Sequence, residues 1–315
     1  MTAVATAGDA VLDAVGKVVV GGRRTLRLAL AAVLAGGHVL LEDVPGLGKT
    51  LLARSLAQAL GLEFRRLQCT PDMLPADVTG SFLYDPATRE FAFRQGPIFA
   101  GLLLADEINR TPPKTQSALL EAMQEKQVTV EGRTFPLPRP FHVLATANPV
   151  EYEGTYPLPE AQLDRFLLRL DVGYPAADEE VEVLRRRLAR QREEAEVAPV
   201  VDAAGLAELQ AEVEKVPVDE DILRYCVDLV TATRAHPAVE VGASPRGSLA
   251  LTLVGRALSV LDGRDHVLPE DIKECAVAAL AHRLVLRPET WTSGVTGVQV
   301  VTELLGKVPG PASTR

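Results

Sequence analysis

The period of the apolar positions changes along the chain, and this change divides the sequence into two parts. As far as residue 172, short apolar runs such as 38–41 and 101–105 are followed by stretches with helical periodicity. Beyond residue 178 the pattern is helical throughout. Strands that alternate with helices favour a mainly parallel sheet covered on both faces. We therefore expect an α/β domain over residues 1–175, a smaller all-α domain over 176–308 and a flexible tail over 309–315.

The same pattern predicts individual elements, with Gly, Pro and Asp as their boundary signals. In the first part, strands are expected at 38–41, 64–68, 101–105, 141–147 and 167–172, and helices at 9–20, 25–34, from 50 onward and at 115–125. A Pro-, Asp- and Gly-rich excursion occupies 70–95, and residues 127–137 alternate as a hairpin does around Glu131 and Gly132. In the second part, helices are expected at 178–194, 202–215, 219–236, 245–262 and 269–286.

The loop that follows the run 38–41 contains candidate phosphate-binding residues. This loop places Gly46, Gly48, Lys49 and Thr50 between a buried strand and a helix. Such a loop directs backbone N–H groups at phosphates, the lysine reaches the outer phosphates, and the hydroxyl binds Mg²⁺. The alternative is a Gly-rich turn that binds nothing. The predicted phosphate-binding set is Asp43, Val44, Pro45, Gly46, Leu47, Gly48, Lys49, Thr50 and Leu51, with Asp43 standing where the consensus has its first glycine.

Further polar residues follow later strands. Asp106 and Glu107 end the run 101–105, where Asp106 would join Thr50 in holding Mg²⁺ and Glu107 would polarise a water toward the γ-phosphate. Two solvated acids at a strand end are the alternative. Asn148 follows the strand 141–147 and either orients the same water or opens a turn before Pro149. Local sequence favours no more than surface ion pairs for Arg165 and Arg246.

Composition narrows the class of function. The chain has 315 residues and a net charge of −9, with few aromatic residues, which disfavours binding to nucleic acid. Three widely spaced cysteines suit reduced, buried thiols. No apolar run approaches the about 20 residues of a membrane span, and no secretory leader is recognisable, so we expect a cytoplasmic protein without a membrane span.

Taken together, five segments resemble the AAA+ ATPases, and within them the MoxR family, across residues 18–308. The segments are 38–50, 105–110 (Ala-Asp-Glu-Ile-Asn-Arg), 119–123, 145–149 (Ala-Thr-Ala-Asn-Pro) and 158–166. An acidic residue at position 43 is normal for that family. The resemblance implies that residues 46–50 form the Walker A motif and that Asp106 and Glu107 form the Walker B motif. It implies that Asn148 is sensor 1 and that Arg246 is sensor 2. It also implies that Arg165 is the arginine finger that reaches a neighbour's ATP.

The resemblance also implies partners and a role. It indicates an ATPase that uses ATP and Mg²⁺ in a homo-oligomeric ring, commonly a hexamer, and that remodels or matures a protein with a von Willebrand factor A domain. The segments 70–95 and 127–137 resemble the helix-2 and pre-sensor-1 inserts of the magnesium chelatase and MCM clade. Two alternatives remain open at this point, namely a nucleic-acid motor of the MCM type and a regulatory binding module gated by nucleotide.

Overall fold

A five-stranded parallel sheet forms the centre of the first part of the chain. The structure is a computed structural model that describes residues 2–149, 154–191 and 195–311. The strand order of the sheet is β2-β5-β8-β1-β9. The strands are β1 (Val39–Glu42), β2 (Phe64–Gln68), β3 (Gly80–Asp85), β4 (Glu90–Gln95), β5 (Leu102–Asp106), β6 (Gln127–Val130), β7 (Arg133–Pro136), β8 (His142–Ala147), β9 (Leu168–Leu170), β10 (Val239–Val241) and β11 (Val285–Leu286).

Successive residues of the inner strands point into two different hydrophobic cores. On β5, Leu102 and Leu104 belong to one core, while Leu103 and Ala105 belong to the other. This alternation follows from the two-residue period of a strand with both faces covered. It explains why these strands read as unbroken apolar runs, and it confirms the predicted α/β sheet.

Helices cover both faces of the sheet and then form the second part of the chain. They are α1 (Thr2–Gly16), α2 (Arg23–Leu34), α3 (Lys49–Ala59), α4 (Pro75–Thr79), α5 (Pro113–Glu125), α6 (Glu160–Leu163), α7 (Ala177–Arg190), α8 (Ala203–Glu214), α9 (Glu220–Ala235), α10 (Pro245–Leu261), α11 (Pro269–Leu280) and α12 (Gly297–Lys307). Short 3₁₀ turns lie at Ile108–Arg110, Ala281–Arg283 and Pro288–Ser293. Helix α10 packs on both α1 and α2, so one hydrophobic core continues from the sheet into the helical region.

The segments 70–95 and 127–137 each contain a hairpin, and the two hairpins pack together. Residues 75–95 form α4 and the hairpin β3-β4, and the second segment forms the hairpin β6-β7. The rings of Phe93 and Phe135 stack with centroids 4.0 Å apart, which joins the two hairpins. Glu131 and Gly132 both have positive φ, as the two central residues of a tight hairpin turn require.

Several boundaries differ from the sequence prediction. Helix α1 begins at Thr2 rather than at residue 9, and the helix predicted over 269–286 ends at Leu280. The chain then enters β11, which pairs with β10 and adds a small antiparallel sheet to a region predicted as helices alone. Helix α12 was not predicted. The predicted helix 178–194 ends at Arg190, and its last three positions lie outside the described residues.

The three cysteines are buried and free, as predicted. Within the part of the chain that the structure describes, no helix is both long and apolar enough to cross a membrane. The limits of the two domains remain a prediction, because the helical region shares a core with the sheet.

Candidate active site

The predicted phosphate loop connects the carboxyl end of β1 to the first residue of α3. Gly46 and Gly48 have φ angles of 88° and 78°, and an added Cβ would meet no atom within 4 Å at either position. Glycine is therefore required by the left-handed backbone rather than by crowding. The loop thus presents open backbone at a helix N-terminus, where N–H groups favour anions.

Lys49 is held against the loop that it follows. Its ammonium group donates to the carbonyl oxygens of Asp43 and Val44, the second at 3.1 Å. Partial burial lowers the pKa of Lys49, while the carboxylates of Asp43, Asp106 and Glu107 act in the opposite direction. The lysine therefore lies in the field of all three predicted acids. Thr50 is the second residue of α3 and is half-buried.

The carboxylate of Asp43 makes backbone contacts outside the loop. One oxygen accepts hydrogen bonds from the N–H groups of Val172 at 3.0 Å and Gly173 at 2.7 Å. The other accepts from the N–H of Val44 at 2.7 Å. Asp43 therefore ties the start of the loop to the segment that leaves β9 toward α7.

Asp106 and Glu107 are positioned by one hydroxyl group. Thr146 on the adjacent strand β8 donates to Asp106 Oδ1 at 2.6 Å and accepts from the Glu107 N–H at 2.8 Å. Glu107 has a φ of 60°, a left-handed conformation that is costly for a residue with a side chain. Arg66 donates to Asp106 Oδ2 from Nε at 3.0 Å and from the terminal nitrogen at 2.6 Å. The Glu107 carboxylate accepts from Gln68 at 3.0 Å.

Asn148 lies between the loop and the two acids. It follows β8, which is hydrogen-bonded to β5 on one side and to β1 on the other. Its carbonyl oxygen accepts from the side-chain amide of Asn109 at 3.2 Å. Parallel strands bring their carboxyl ends to one edge, so the structure brings together Lys49, Thr50, Asp106, Glu107 and Asn148 there.

Arg165 and Arg246 lie at the opposite edge of the sheet. Both line a cavity of about 270 Å³ that is also bounded by His38, just before β1, and by Leu167, just before β9. This is the amino edge, so the length of a strand separates the two arginines from the phosphate loop of their own chain. The structure brings these two predicted residues together. It does not place them with the residues at the carboxyl edge, namely Lys49, Thr50, Asp106, Glu107 and Asn148.

An acidic residue organises this second group. Asp164 accepts from Arg283 Nε at 2.8 Å and from the Ser244 hydroxyl at 3.0 Å, and Arg246 approaches it to 3.9 Å. The Arg283 side chain is 3% exposed and also donates to the Phe166 carbonyl oxygen at 2.8 Å. Asp164, which directly precedes Arg165, thus connects the segment that carries Arg165 to the N-terminus of α10.

Sequence reasoning missed four positioning residues: Thr146, Arg66, Asp164 and Arg283. Two of them carried a local signal. Thr146 lies inside the segment 145–149, and Asp164 directly precedes Arg165. Arg66 and Arg283 lie 40 and 119 positions from the acids that they contact, so only the fold reveals them.

The carboxyl edge fits a magnesium nucleotide. The open glycine loop and the Lys49 ammonium suit phosphates. The hydroxyl of Thr50 and the carboxylate of Asp106 are the hard oxygen donors that Mg²⁺ prefers.

Comparison with known proteins places both parts of the chain in one family. Residues 38–168 match the ATPase family associated with various cellular activities (AAA), and residues 231–304 match the AAA lid domain. A crystal structure of a candidate ATPase from Cytophaga hutchinsonii superposes with a TM-score of 0.92 at 42% identity, and the match covers 99% of this chain and 97% of that one.

Two relatives match over nearly the full length of the chain. The uncharacterized protein YeaC of Bacillus subtilis is 51% identical over 95% of this chain and 93% of its own. Chaperone MoxR1 of Mycobacterium tuberculosis is 42% identical over 94% of this chain and 80% of its own. With these matches and the nucleotide-binding fold, the chain belongs to the MoxR family of AAA+ ATPases.

Proposed function

We propose that the protein hydrolyses ATP at a site completed by a neighbouring copy of itself. The observation that carries this proposal is the separation of Arg165 and Arg246 from the phosphate loop, at opposite edges of one sheet. A chain in this conformation cannot apply both groups to one nucleotide. A neighbour that docks its amino edge on the carboxyl edge of the next chain brings the two halves together.

In this proposal each residue of the carboxyl edge has one role. The backbone of residues 43–51 and the Lys49 ammonium bind the phosphates. Thr50 and Asp106 hold Mg²⁺, which neutralises charge on the phosphate oxygens when it is bound. Glu107 aligns the attacking water, and Asn148 orients it from the next strand.

The neighbour supplies positive charge. Arg165 and Arg246 are both close to Asp164, so they are presented as a pair from one surface. Their charges stabilise the negative charge that develops on the γ-phosphate, an effect of roughly 10³ to 10⁵ in turnover for a single arginine supplied in trans. Isolated subunits are then poor ATPases.

The cellular role that we propose is remodelling or maturation of a protein partner. The name of the relative chaperone MoxR1 supports it, and the net charge of −9 disfavours a nucleic-acid motor. The family resemblance supports a hexameric ring and a partner with a von Willebrand factor A domain. We place this remodelling of a protein partner in the cytoplasm.

A mixing experiment tests the composite site. Lys49→Ala removes the phosphate contact but leaves the arginines, whereas Arg165→Ala does the reverse. We expect each variant to release little phosphate alone, and a one-to-one mixture to recover roughly a quarter of the wild-type rate, because random assembly in a ring pairs intact halves at a quarter of the sites. Equal phosphate release by wild type and Lys49→Ala would refute ATP hydrolysis at this site.

Two further measurements separate the alternatives. Glu107→Gln should bind ATP without releasing phosphate, and unchanged release would exclude the role proposed for Glu107. The same variant, used as bait in the host extract, should retain a protein with a von Willebrand factor A domain. Stimulation of the ATPase by DNA, lost at high salt, would instead indicate the nucleic-acid motor.

A further inference from the structure

Helix α7 carries an apolar stripe that no described residue of this chain covers. Val181, Leu184 and Leu188 are 50%, 59% and 75% exposed. Their spacing of three and seven positions places them on one face of the helix. Among the described residues of α7 none is buried, although the helix spans 14 residues. The apolar stripe is therefore left largely uncovered by the part of the chain that the structure describes.

The helix that carries the stripe begins beside the phosphate-loop edge of the sheet. Helix α7 begins four residues after Gly173, whose N–H is held by the Asp43 carboxylate of the loop. Glu179 in its first turn lies against Gly21, and Arg186 donates to the carbonyl oxygen of Gly16 at 2.8 Å. These contacts fix the helix at the edge that a neighbour must approach in the proposed composite site.

The opposite edge of the chain has complementary chemistry. The cavity that holds Arg165 and Arg246 is also lined by Leu249, Ala250 and Leu253 of α10, and Leu249 is 55% exposed. Lys126 lies in the same lining and makes this surface basic. The first turn of α7 is acidic and exposes Asp178 and Glu180. The exposed apolar side chains and the acidic first turn of α7 therefore match the opposite edge. The charge match is confined to that first turn, since residues 185–187 and 190 of the same helix are arginines.

We propose that the stripe of Val181, Leu184 and Leu188 docks on the Leu249 surface of a second copy of this chain. The contact is head-to-tail, because the two surfaces differ, and such contacts close into rings when the rotation permits. The inference rests on the proposed function and identifies the surface by which the neighbour's arginines are delivered. Each docking event seats Arg165 and Arg246 of one copy at the phosphate loop whose α7 is bound.

Two damaged surfaces test the pairing. Leu184→Asp with Leu188→Asp removes the stripe, and Leu249→Asp removes the receiving surface. All three side chains are exposed, so circular dichroism and the melting temperature should match wild type. With ATP present, we expect each variant to associate at least roughly 30-fold more weakly than wild type, since loss of a central anchor commonly costs about 2 kcal/mol or more. Leu223→Asp with Val227→Asp is the matched control on the exposed face of α9, and it should assemble normally.

The mixture of the two damaged chains is the decisive measurement. Each retains one intact surface, so the mixture should form one-to-one dimers and no larger species in sedimentation and native mass spectrometry. Phosphate release by the dimer should vanish when Arg165→Ala is placed in the stripe-damaged chain and persist when it is placed in the other. A mixture that stays monomeric, or variants that assemble as wild type does, would overturn the docking surface.

The outcome distinguishes this inference from the proposed function. If wild type assembles and hydrolyses ATP while the stripe variant does so equally well, only the stripe is refuted. If wild type hydrolyses ATP as a monomer at a rate per chain independent of concentration, the composite site itself is refuted.

Discussion

The hydroxyl of Thr146 offers the sharpest test of how the acidic pair is held. Thr146→Val keeps the shape of the side chain and removes its hydrogen-bonding capacity. The hydroxyl makes one hydrogen bond to an ionised carboxylate and one to a backbone N–H, both in a buried position. The bond to the carboxylate contributes about 1.5 to 3 kcal/mol and the bond to the N–H about 0.5 to 1.5 kcal/mol. We therefore expect the free energy of unfolding to fall by about 2 to 4.5 kcal/mol.

The same change should affect catalysis more than ATP binding. The Thr146 hydroxyl accepts a hydrogen bond from the Glu107 N–H, and Glu107 has a left-handed backbone conformation. The role proposed for Glu107 is to align water, and it includes no contact to the phosphates in the ground state. If about 1.4 kcal/mol of that restraint is lost in the transition state, turnover falls about tenfold. ATP affinity, which depends on the phosphate loop, should stay within about threefold of wild type.

Urea unfolding and steady-state phosphate release measure these two effects. Thr146→Ser restores the hydroxyl and is the control, and it should recover most of both losses. A double-mutant cycle with Asp106→Asn should show coupling between the two side chains. If Thr146→Val lowers the free energy of unfolding by less than about 0.5 kcal/mol, the role of the hydroxyl is refuted. It is also refuted if Thr146→Ser and Thr146→Val have equal stability and equal phosphate release.

Three further predictions concern residues outside the acidic pair. Arg283→Met should lower the free energy of unfolding by about 3 to 5 kcal/mol in urea, because it leaves Asp164 without its buried partner. Asp43→Ala should lower the free energy of unfolding by about 1 to 3 kcal/mol through the lost contacts to Val172 and Gly173. Both contacts use one oxygen, and Asp43→Asn keeps one oxygen that can accept them, so an equal loss in Asp43→Asn would argue against these contacts. Burial lowers the pKa of His38 to about 3 and of His142 to about 4, so the unfolded state binds more protons below about pH 6.5. Unfolding free energy should therefore fall with falling pH from about 6.5 to 4, by up to about 1.4 kcal/mol per pH unit for each histidine, and a flat profile would contradict this.

The parts of the site that depend on local sequence were predictable. The phosphate loop, Asp106 with Glu107, and Asn148 each follow a buried strand, and parallel strands necessarily bring such positions to one edge. The hairpin β6-β7 was also predictable, since turn residues such as Gly132 act within a few positions.

The parts that depend on packing between distant segments were not predictable. Asp164 meets Arg283 only because the helical region folds back on the sheet, and periodicity carries no information about that docking. Strand β11 was read as helix for the same reason, because its partner β10 lies more than forty residues earlier in the chain. Local propensity gives way where such a tertiary pairing is available.

The division of the site between two edges has a thermodynamic consequence. If a neighbour's Arg165 and Arg246 contact the nucleotide, assembly must raise ATP affinity, and ATP must then tighten assembly by the same factor. A coupling of 1 to 3 kcal/mol, typical of linked sites, corresponds to about 5-fold to 150-fold. The dissociation constant for ATP should therefore decrease by about 5-fold to 150-fold as the protein concentration rises through the assembly transition. The measurement uses Glu107→Gln, so that ATP is not hydrolysed. Replacing both arginines should abolish the dependence while leaving the affinity of the isolated subunit unchanged, because its own phosphate loop, from Asp43 to Leu51, remains intact.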